Sequence, residues 1–123
     1  MQWNSKNTKE QGDATEQIAQ HFLINNGLTL VTKNFRCKLG EIDLIMKDKT
    51  SLVFIEVKYR KSNEYGLPCE AVSASKQKKI INTANFYLQQ QGINAYNTDC
   101  RFDVVGLVGP IESSSITWLK NAF

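Results

Sequence analysis

The stretch between residues 41 and 60 constrains this chain more than any other. Two alternating runs, 41–47 and 52–60, are separated only by the polar residues 48–51, the spacing of an antiparallel hairpin with a short loop. Centring the loop between Lys49 and Thr50 sets the register. Ile42 then faces Val57, Leu44 faces Ile55 and Met46 faces Val53 on one entirely apolar face. The opposite face pairs Asp43 with Glu56, Glu41 with Lys58, Ile45 with Phe54 and Lys47 with Leu52. A slip by one residue would set Glu56 and Lys58 against apolar partners, so the pattern itself fixes which face each side chain takes.

Around this hairpin the other elements follow from periodicity. Thr8 and Gln11 have capping-box spacing, and Ala14, Ile18 and Phe22 with Ala19 and Leu23 recur at helical intervals, which predicts a helix over 9–25 that ends at Asn26 and Gly27. Residues 28–36 are rich in Thr, Val and Leu and read as a strand, turned by Lys38, Leu39 and Gly40 into the hairpin. Residues 62–68, with Gly66 and Pro68, read as a loop. Ser73 then caps a second helix whose apolar row is Ile80, Ala84 and Leu88, flanked by Ile81 and Phe86, ending near Gly92. The nearly unbroken apolar run 101–108 suits a strand buried on both faces; following a helix, it should lie parallel to the third strand through a right-handed crossover. Gly109 and Pro110 mark a turn, and 115–119 reads as an edge strand. The order αβββαββ is that of an α/β chain, and 123 residues, 41% hydrophobic, make one domain over 1–123.

Several chemistries are excluded by counting. Cys37, Cys69 and Cys100 are odd in number and form no CxxC pair, so reduced thiols in a cytoplasmic protein are expected rather than a disulfide framework or a zinc ribbon. His21 is the only histidine, which removes multi-histidine metal sites and leaves a Ser-His-Asp machine dependent on one helix-borne residue. No run is long and apolar enough for a membrane span or a signal peptide. The net charge of +3 permits a nucleic-acid partner without requiring one.

The opposed acids are the informative feature. Like charges directly across a sheet face cost up to about 1 kcal/mol even in water, and more beside Ile45 and Phe54. A hard divalent cation reverses that sign, because carboxylate oxygens are preferred magnesium ligands and repulsion becomes shared coordination. The bland alternative is a ladder of ion pairs in which Asp43 and Glu56 each find a base such as Lys58 or Arg36. Lys58 lies two residues beyond Glu56 on the same face, which suits phosphodiester hydrolysis: an attacking water must lose a proton, and the pentacovalent phosphate needs positive charge beside it. On the first helix Gly12, Glu16, Ala19 and Leu23 share a stripe, so Glu16 needs a partner, a metal or a place at the exposed rim.

Basic residues surround these acids. Arg36 and Lys38 precede the second strand, Arg60 and Lys61 follow the third, and Lys76, Lys78 and Lys79 occupy the first turns of the second helix. Lysines there oppose the helix dipole unless an anion is brought to that end, and a phosphate backbone is the natural anion. A solvated charged face is the alternative, and for Lys78 the preferred one. Arg101 and Asp103 share a strand face expected near Lys58; Arg101 is either a nucleic-acid contact or half of a structural ion pair.

These residues resemble a known family. Gly12, Glu16 and Ala19, the run Asn34-Phe35-Arg36, the block Gly40-Glu41-Ile42-Asp43-Leu44-Ile45, the block Phe54-Ile55-Glu56-Val57-Lys58-Tyr59-Arg60, the stretch from Gly66 to Lys76, Arg101-Phe102-Asp103-Val104-Val105 and the closing Asn121-Ala122-Phe123 look like the YraN-like bacterial proteins. Those are similar to archaeal Holliday-junction resolvases, within the restriction-endonuclease-like PD-(D/E)xK superfamily. The resemblance implies a mixed five-strand sheet flanked by helices. By the same resemblance Asp43 and Glu56 bind magnesium, with manganese as an alternative, Glu16 completes the metal shell, and Lys58 orients or activates the attacking water. Thr15 stands where many members carry a second glycine. The resolvase likeness further implies a homodimer, because two symmetric cuts need two sites.

Two functions from different classes follow. One is a magnesium-dependent DNA endonuclease, selective for branched DNA and acting in recombination or repair, with Arg36, Lys38, Arg60, Lys61, Lys76, Lys79 and Arg101 on the DNA. The other is a nucleic-acid-binding module without catalytic activity. RNA as substrate is not separated from DNA by the sequence. Neither a membrane nor a small-molecule cofactor is expected. No base-reading helix is evident, so tight sequence specificity is not expected either.

Overall fold

The structure is a computed structural model that describes residues 5–62 and 72–123, with side chains of the first helix from residue 10 onward. The expected loop with Gly66 and Pro68, and Cys69 with it, lies outside the described residues. The elements are α1 (Ser5–Asn25), β1 (Thr29–Cys37), β2 (Gly40–Asp48), β3 (Ser51–Arg60), α2 (Ala74–Gln90), β4 (Cys100–Val108) and β5 (Ser115–Leu119), with a short 3-10 turn at Ile111–Ser113. This is the α/β order αβββαββ.

The strands form one mixed sheet in the order β1-β2-β3-β4-β5. All neighbours are antiparallel except β3 and β4, which run parallel with α2 in the crossover between them. The helices cover opposite faces. Ala19 and Leu23 of α1 pack on Leu44, Met46, Val53, Ile55, Val105 and Leu107. Ile80, Ala84, Tyr87 and Leu88 of α2 pack on Ile42, Ile45, Leu52 and Phe54. β4 is buried along most of its length, as its apolar run requires.

Three details differ from expectation: the hairpin loop, expected over 48–51, is shortened because Asp48 pairs with Ser51, and the helices differ in two further ways. The first helix begins at Ser5, so Thr8 lies inside it and not at a cap; threonine costs an established helix only tenths of a kcal/mol, too little to stop it. On α2, Ile81 and Phe86 are exposed while Thr83 and Tyr87 join the core, because Ile80, Thr83, Ala84, Tyr87 and Leu88 form the continuous stripe. The α2 N-terminus is as expected, with the Ser73 hydroxyl accepting the Lys76 amide at 3.1 Å. Gly40, at φ 150°, lets the β1–β2 turn approach α2 so closely that a Cβ there would lie 2.9 Å from the Thr83 hydroxyl.

Candidate active site

The hairpin register begins as its pattern dictates, with Lys47 opposite Leu52, Met46 opposite Val53, Ile45 opposite Phe54 and Leu44 opposite Ile55. There the ladder stops. The expected continuation through Asp43–Glu56, Ile42–Val57 and Glu41–Lys58 does not form. Instead a side chain replaces a backbone group: Asp43 Oδ2 accepts the Val57 amide at 2.7 Å. On its other side β2 pairs with β1 through Leu44–Lys33 and Ile42–Phe35, and the intervening Asp43 and Asn34 form no ladder step. Asn34 is held at φ 54°, in the left-handed region.

The alternation of β2 breaks at the same place. Leu44 belongs to the α1 face, whereas Ile42, two residues away, packs on the α2 face beside Phe54 and Ile80. A regular strand would place both on one face. Asp43 therefore sits where the sheet opens, with room beside it for groups from either layer.

Glu16 reaches it from α1 and Glu56 from β3, and both carboxyl groups come within hydrogen-bonding range of Asp43. Glu56 is only 8% exposed. Its burial, then a shared proton with Asp43 and the Asp43 charge, push its pKa up to about 8 against the pull of Lys76 and Lys58. Glu16 is raised to about 7, first by burial and then by the charges of Asp43 and Asp13, with the Asn34 amide acting in the opposite direction. The cluster as it stands thus keeps protons at neutral pH. Thr15, next to Glu16, is buried and bonds back to the Gly12 carbonyl at 3.0 Å, so the missing glycine leaves the acid in place.

Among the basic residues, the structure brings Lys58 and Lys76 to the acids. The Lys76 ammonium lies 3.7 Å from Glu56 Oε2, and Lys58 also acts on Glu56 electrostatically. Arg36 pairs with Glu41 at 2.9 Å, so Glu41 takes Arg36 and not the expected Lys58. Arg36 also lines a cavity of about 460 Å³ with Gly12, Asp13, Glu16 and Asn34. A cavity of about 320 Å³ shares Asp13, Glu16 and Asn34 with it and is also lined by Gln17, Gln20, Lys33 and Leu44. Lys38, Lys61 and Lys79 are exposed and Arg60 is half-buried.

Arg101 is placed elsewhere. It contacts both oxygens of Asp103, through Nε at 3.0 Å to Oδ1, and its Nη1 bonds Asp48 at 2.9 Å. Asp103 is fully buried and also accepts from the Trp118 indole and the Asn121 amide, both at 2.9 Å. The parallel register sets Arg101 beside Val53 and Lys58 beside Gly106, so the expected proximity of Arg101 to Lys58 is wrong. Arg101 is the structural ion pair of the two readings. It neutralises a buried carboxylate that ties β5 and the C-terminal turn to the sheet.

Asn34, named only within the run that carries the resemblance, is the residue to which sequence reasoning gave no role. An asparagine in the middle of a strand is a poor β former but tolerates the left-handed conformation, and that signal could have located the break. Asp13, Gln17, Gln20 and Lys33 join it as cavity walls for which sequence spacing offered no signal.

The donor set suits a hard cation in chemistry, since carboxylates that repel each other and hold protons release them to a divalent ion. Among the described residues, however, no group of three or more carboxylates, thiolates or imidazoles is already arranged to hold a metal ion. Magnesium needs no such cage, because it keeps several waters and is held by one or two carboxylates with substrate phosphates. The pair Asp43 and Glu56 meets that requirement, with Glu16 at its side.

The fold and site thus define an α/β protein with a carboxylate and lysine cluster built at a split in its sheet. Residues 15–107 match the family described as "Uncharacterised protein family UPF0102". The chain belongs to that family, the same YraN-like group its motifs resemble. A UPF0102 protein of Colwellia psychrerythraea is 49% identical over the whole length of both chains. One from Nitrosococcus oceani is 45% identical over 94% of this chain and 92% of its own, and one from Clostridioides difficile is 41% identical over 95% and 99%. Among solved structures, Pyrococcus furiosus SfsA in complex with Ca2+ aligns at a TM-score of 0.41 and 15% identity, covering 92% of this chain and 63% of that one. Among the described residues no helix is long and apolar enough to cross a membrane.

Proposed function

We propose that this protein is a magnesium-dependent DNA endonuclease of the restriction-endonuclease-like type, selective for branched DNA. The observation that carries the proposal is the meeting of Asp43, Glu16 and Glu56 at the sheet split with Lys58 and Lys76 beside them. Asp43 and Glu56 would hold the cation, Glu16 would complete its surroundings, and manganese is the alternative ion. When bound, the cation would supply charge at the phosphate and acidify the attacking water.

The chain's own groups do the rest. Asp43 is held in place by the Val57 amide, so its carboxylate is positioned before any substrate arrives. Lys58 fixes the attacking water and neutralises charge that grows on the phosphate. Its ammonium is compact enough to act at one oxygen. Arg36, Lys38, Arg60, Lys61 and Lys79 supply phosphate contacts along the DNA, and Lys76 divides its charge between Glu56 and the backbone. A homodimer would present two such sites to a branch point.

A binding module without catalysis is the second reading, favoured by the absence among the described residues of a ready three-ligand metal group. The opposing consideration is that a pure binder gains nothing from a carboxylate cluster that repels phosphate. The deciding experiment incubates the protein with magnesium and duplex, flap, single-stranded and four-way DNA, beside Asp43→Asn. Cleavage by the parent and none by the variant supports the nuclease. Binding without cleavage under every divalent ion supports the module.

A further inference from the structure

A separate cleft of about 280 Å³ lies at the far end of β3, lined by Tyr59, Lys61, Gly109 and Pro110. Its walls differ in kind from the cavities beside Glu16, which are lined by carboxamides and charges. Here, among the described residues, an aromatic ring, a proline ring and a bare glycine line an open cleft, with a lysine at the rim. The walls are tied together. The Tyr59 hydroxyl donates to the Gly109 carbonyl at 2.7 Å, and the Gly109 amide donates to the Arg60 carbonyl at 3.0 Å. Gly109 has φ 104°, a conformation that strains any side chain, and a Cβ there would find its nearest neighbour only at 4.0 Å.

Tyr59 packs partly against the α1-face core, so its ring is oriented by the fold and not by a ligand. Its place relative to the acids is fixed by the strand. Tyr59 follows Lys58 directly and shares the α1 face with Val57, whose amide holds Asp43. Lys61 follows the end of β3, three residues beyond Lys58.

We infer that this cleft holds one unpaired nucleobase, stacked on Tyr59 and Pro110, with Lys61 on an adjoining phosphate, while the scissile phosphate lies at Asp43, Glu56 and Lys58. The inference rests on the nuclease reading and adds its substrate class, DNA with an unpaired nucleotide next to the cut. Among the described residues the walls are apolar with a lysine at the rim, which matches the π-face of a base and its attached phosphate. The volume admits one base, and a paired base reaches it only by leaving its stack. Stacking on an aromatic ring is tolerant of base identity, so the cleft selects for structure and not sequence.

The test uses oligonucleotides that carry 2-aminopurine either in a single-stranded flap or inside a blunt duplex, titrated with the full chain without metal. The flap probe should be quenched on binding and bind more tightly than the duplex. Tyr59→Leu should abolish the quench and reduce the flap-over-duplex preference by at least about five-fold, whereas Tyr59→Phe, which keeps the ring and loses only the hydroxyl, should keep both. Thermal melts of each variant establish folding. If folded Tyr59→Leu retains the quench and the preference, or loses affinity equally for both probes, the cleft is not a base site. Asp43→Asn separates the two readings. Loss of cleavage with the quench intact supports both, while a persistent quench in a parent protein that cuts no DNA overturns the nuclease and leaves the base site standing.

Discussion

Glu56 makes the stability of this protein fall as the solution becomes more alkaline, and Glu56→Gln should remove most of that fall. Its carboxyl has a pKa of about 8 in the folded chain against 4.5 for an ordinary glutamate, chiefly because it is buried and shares its surroundings with Asp43. The folded state therefore holds a proton that the unfolded state gives up. Such a group contributes stability that is fully present below about pH 4.5 and is lost as pH rises through about 8. At about 1.4 kcal/mol per pH unit the loss from Glu56 is on the order of 5 kcal/mol, a large share of a typical domain's stability. Glu16 adds a loss of the same sign up to about pH 7, reduced by its partial exposure to water. Glutamine keeps the shape and a hydrogen-bond donor for Asp43 and has no charge to bury. Urea titrations in EDTA at pH 5, 6, 7, 8 and 9 should show the parent losing several kcal/mol and the variant much less. Magnesium added at pH 8 should restore the parent far more than the variant, because the cation binds the ionised acids of the folded state. Parallel decline of the two proteins, or a flat parent curve, would refute the assignment of the proton to Glu56.

Asp43→Asn should remove both magnesium binding, read by calorimetry, and cleavage, while the metal-free fold melts no lower than the parent's because a charge leaves the acid cluster. Lys58→Ala should keep magnesium and DNA binding yet cut about two to three orders of magnitude more slowly in single-turnover assays, with Lys58→Arg recovering only part of the rate. The double change Lys76→Ala and Lys79→Ala should weaken DNA binding alike for all sequences and flatten its salt dependence by about 0.9 for each phosphate no longer neutralised. Asp103→Ala should cost about 1–3 kcal/mol in urea titrations, since it removes the buried acceptor shared by Arg101, the Trp118 indole and the Asn121 amide, while Arg101 keeps Asp48.

The lesson of the hairpin is where its pattern stops being informative. From Lys47 to Leu44 every pair was legible, because alternation with period two leaves one register that buries the apolar set, whereas Asp48 and Ser51, read as loop, pair as well. The chain order and the parallel β4 were legible for a related reason: a continuous apolar strand after a helix has few places to go. At Asp43 the rule fails. A like-charged pair facing across the ladder is unfavourable, and the carboxylate finds a better partner in the Val57 amide. Alternation then predicts the wrong face for Ile42 and the wrong partners for Glu41 and Val57. Asp43 and Glu56 were singled out by a ladder pairing that does not form, and Glu16 by its place on a helix stripe; Glu56 and Glu16 nevertheless each interact with Asp43.

That failure and the site are the same event. A regular sheet would have sent Asp43 and Glu56 to one face and left Glu16, on the α1 layer, unable to join them. At the left-handed residue Asn34 and the missing ladder step at Asp43 the strands part locally, and there Glu16 of α1 and Glu56 of β3 each approach Asp43 of β2. The rest of the sheet holds the gap rigid: Phe35 and Ile42 on one face and Leu44 and Ile55 on the other are packed immediately beside it. A substitution that favours regular pairing, such as Asn34→Val, should therefore close the gap and separate Glu16 from Asp43. A β-branched residue resists positive φ, so if the variant folds, its strand must straighten or bear the strain. If the gap is the device, folded Asn34→Val should bind magnesium more weakly by calorimetry although no acid has been touched, and unchanged affinity would show that the acids meet without it.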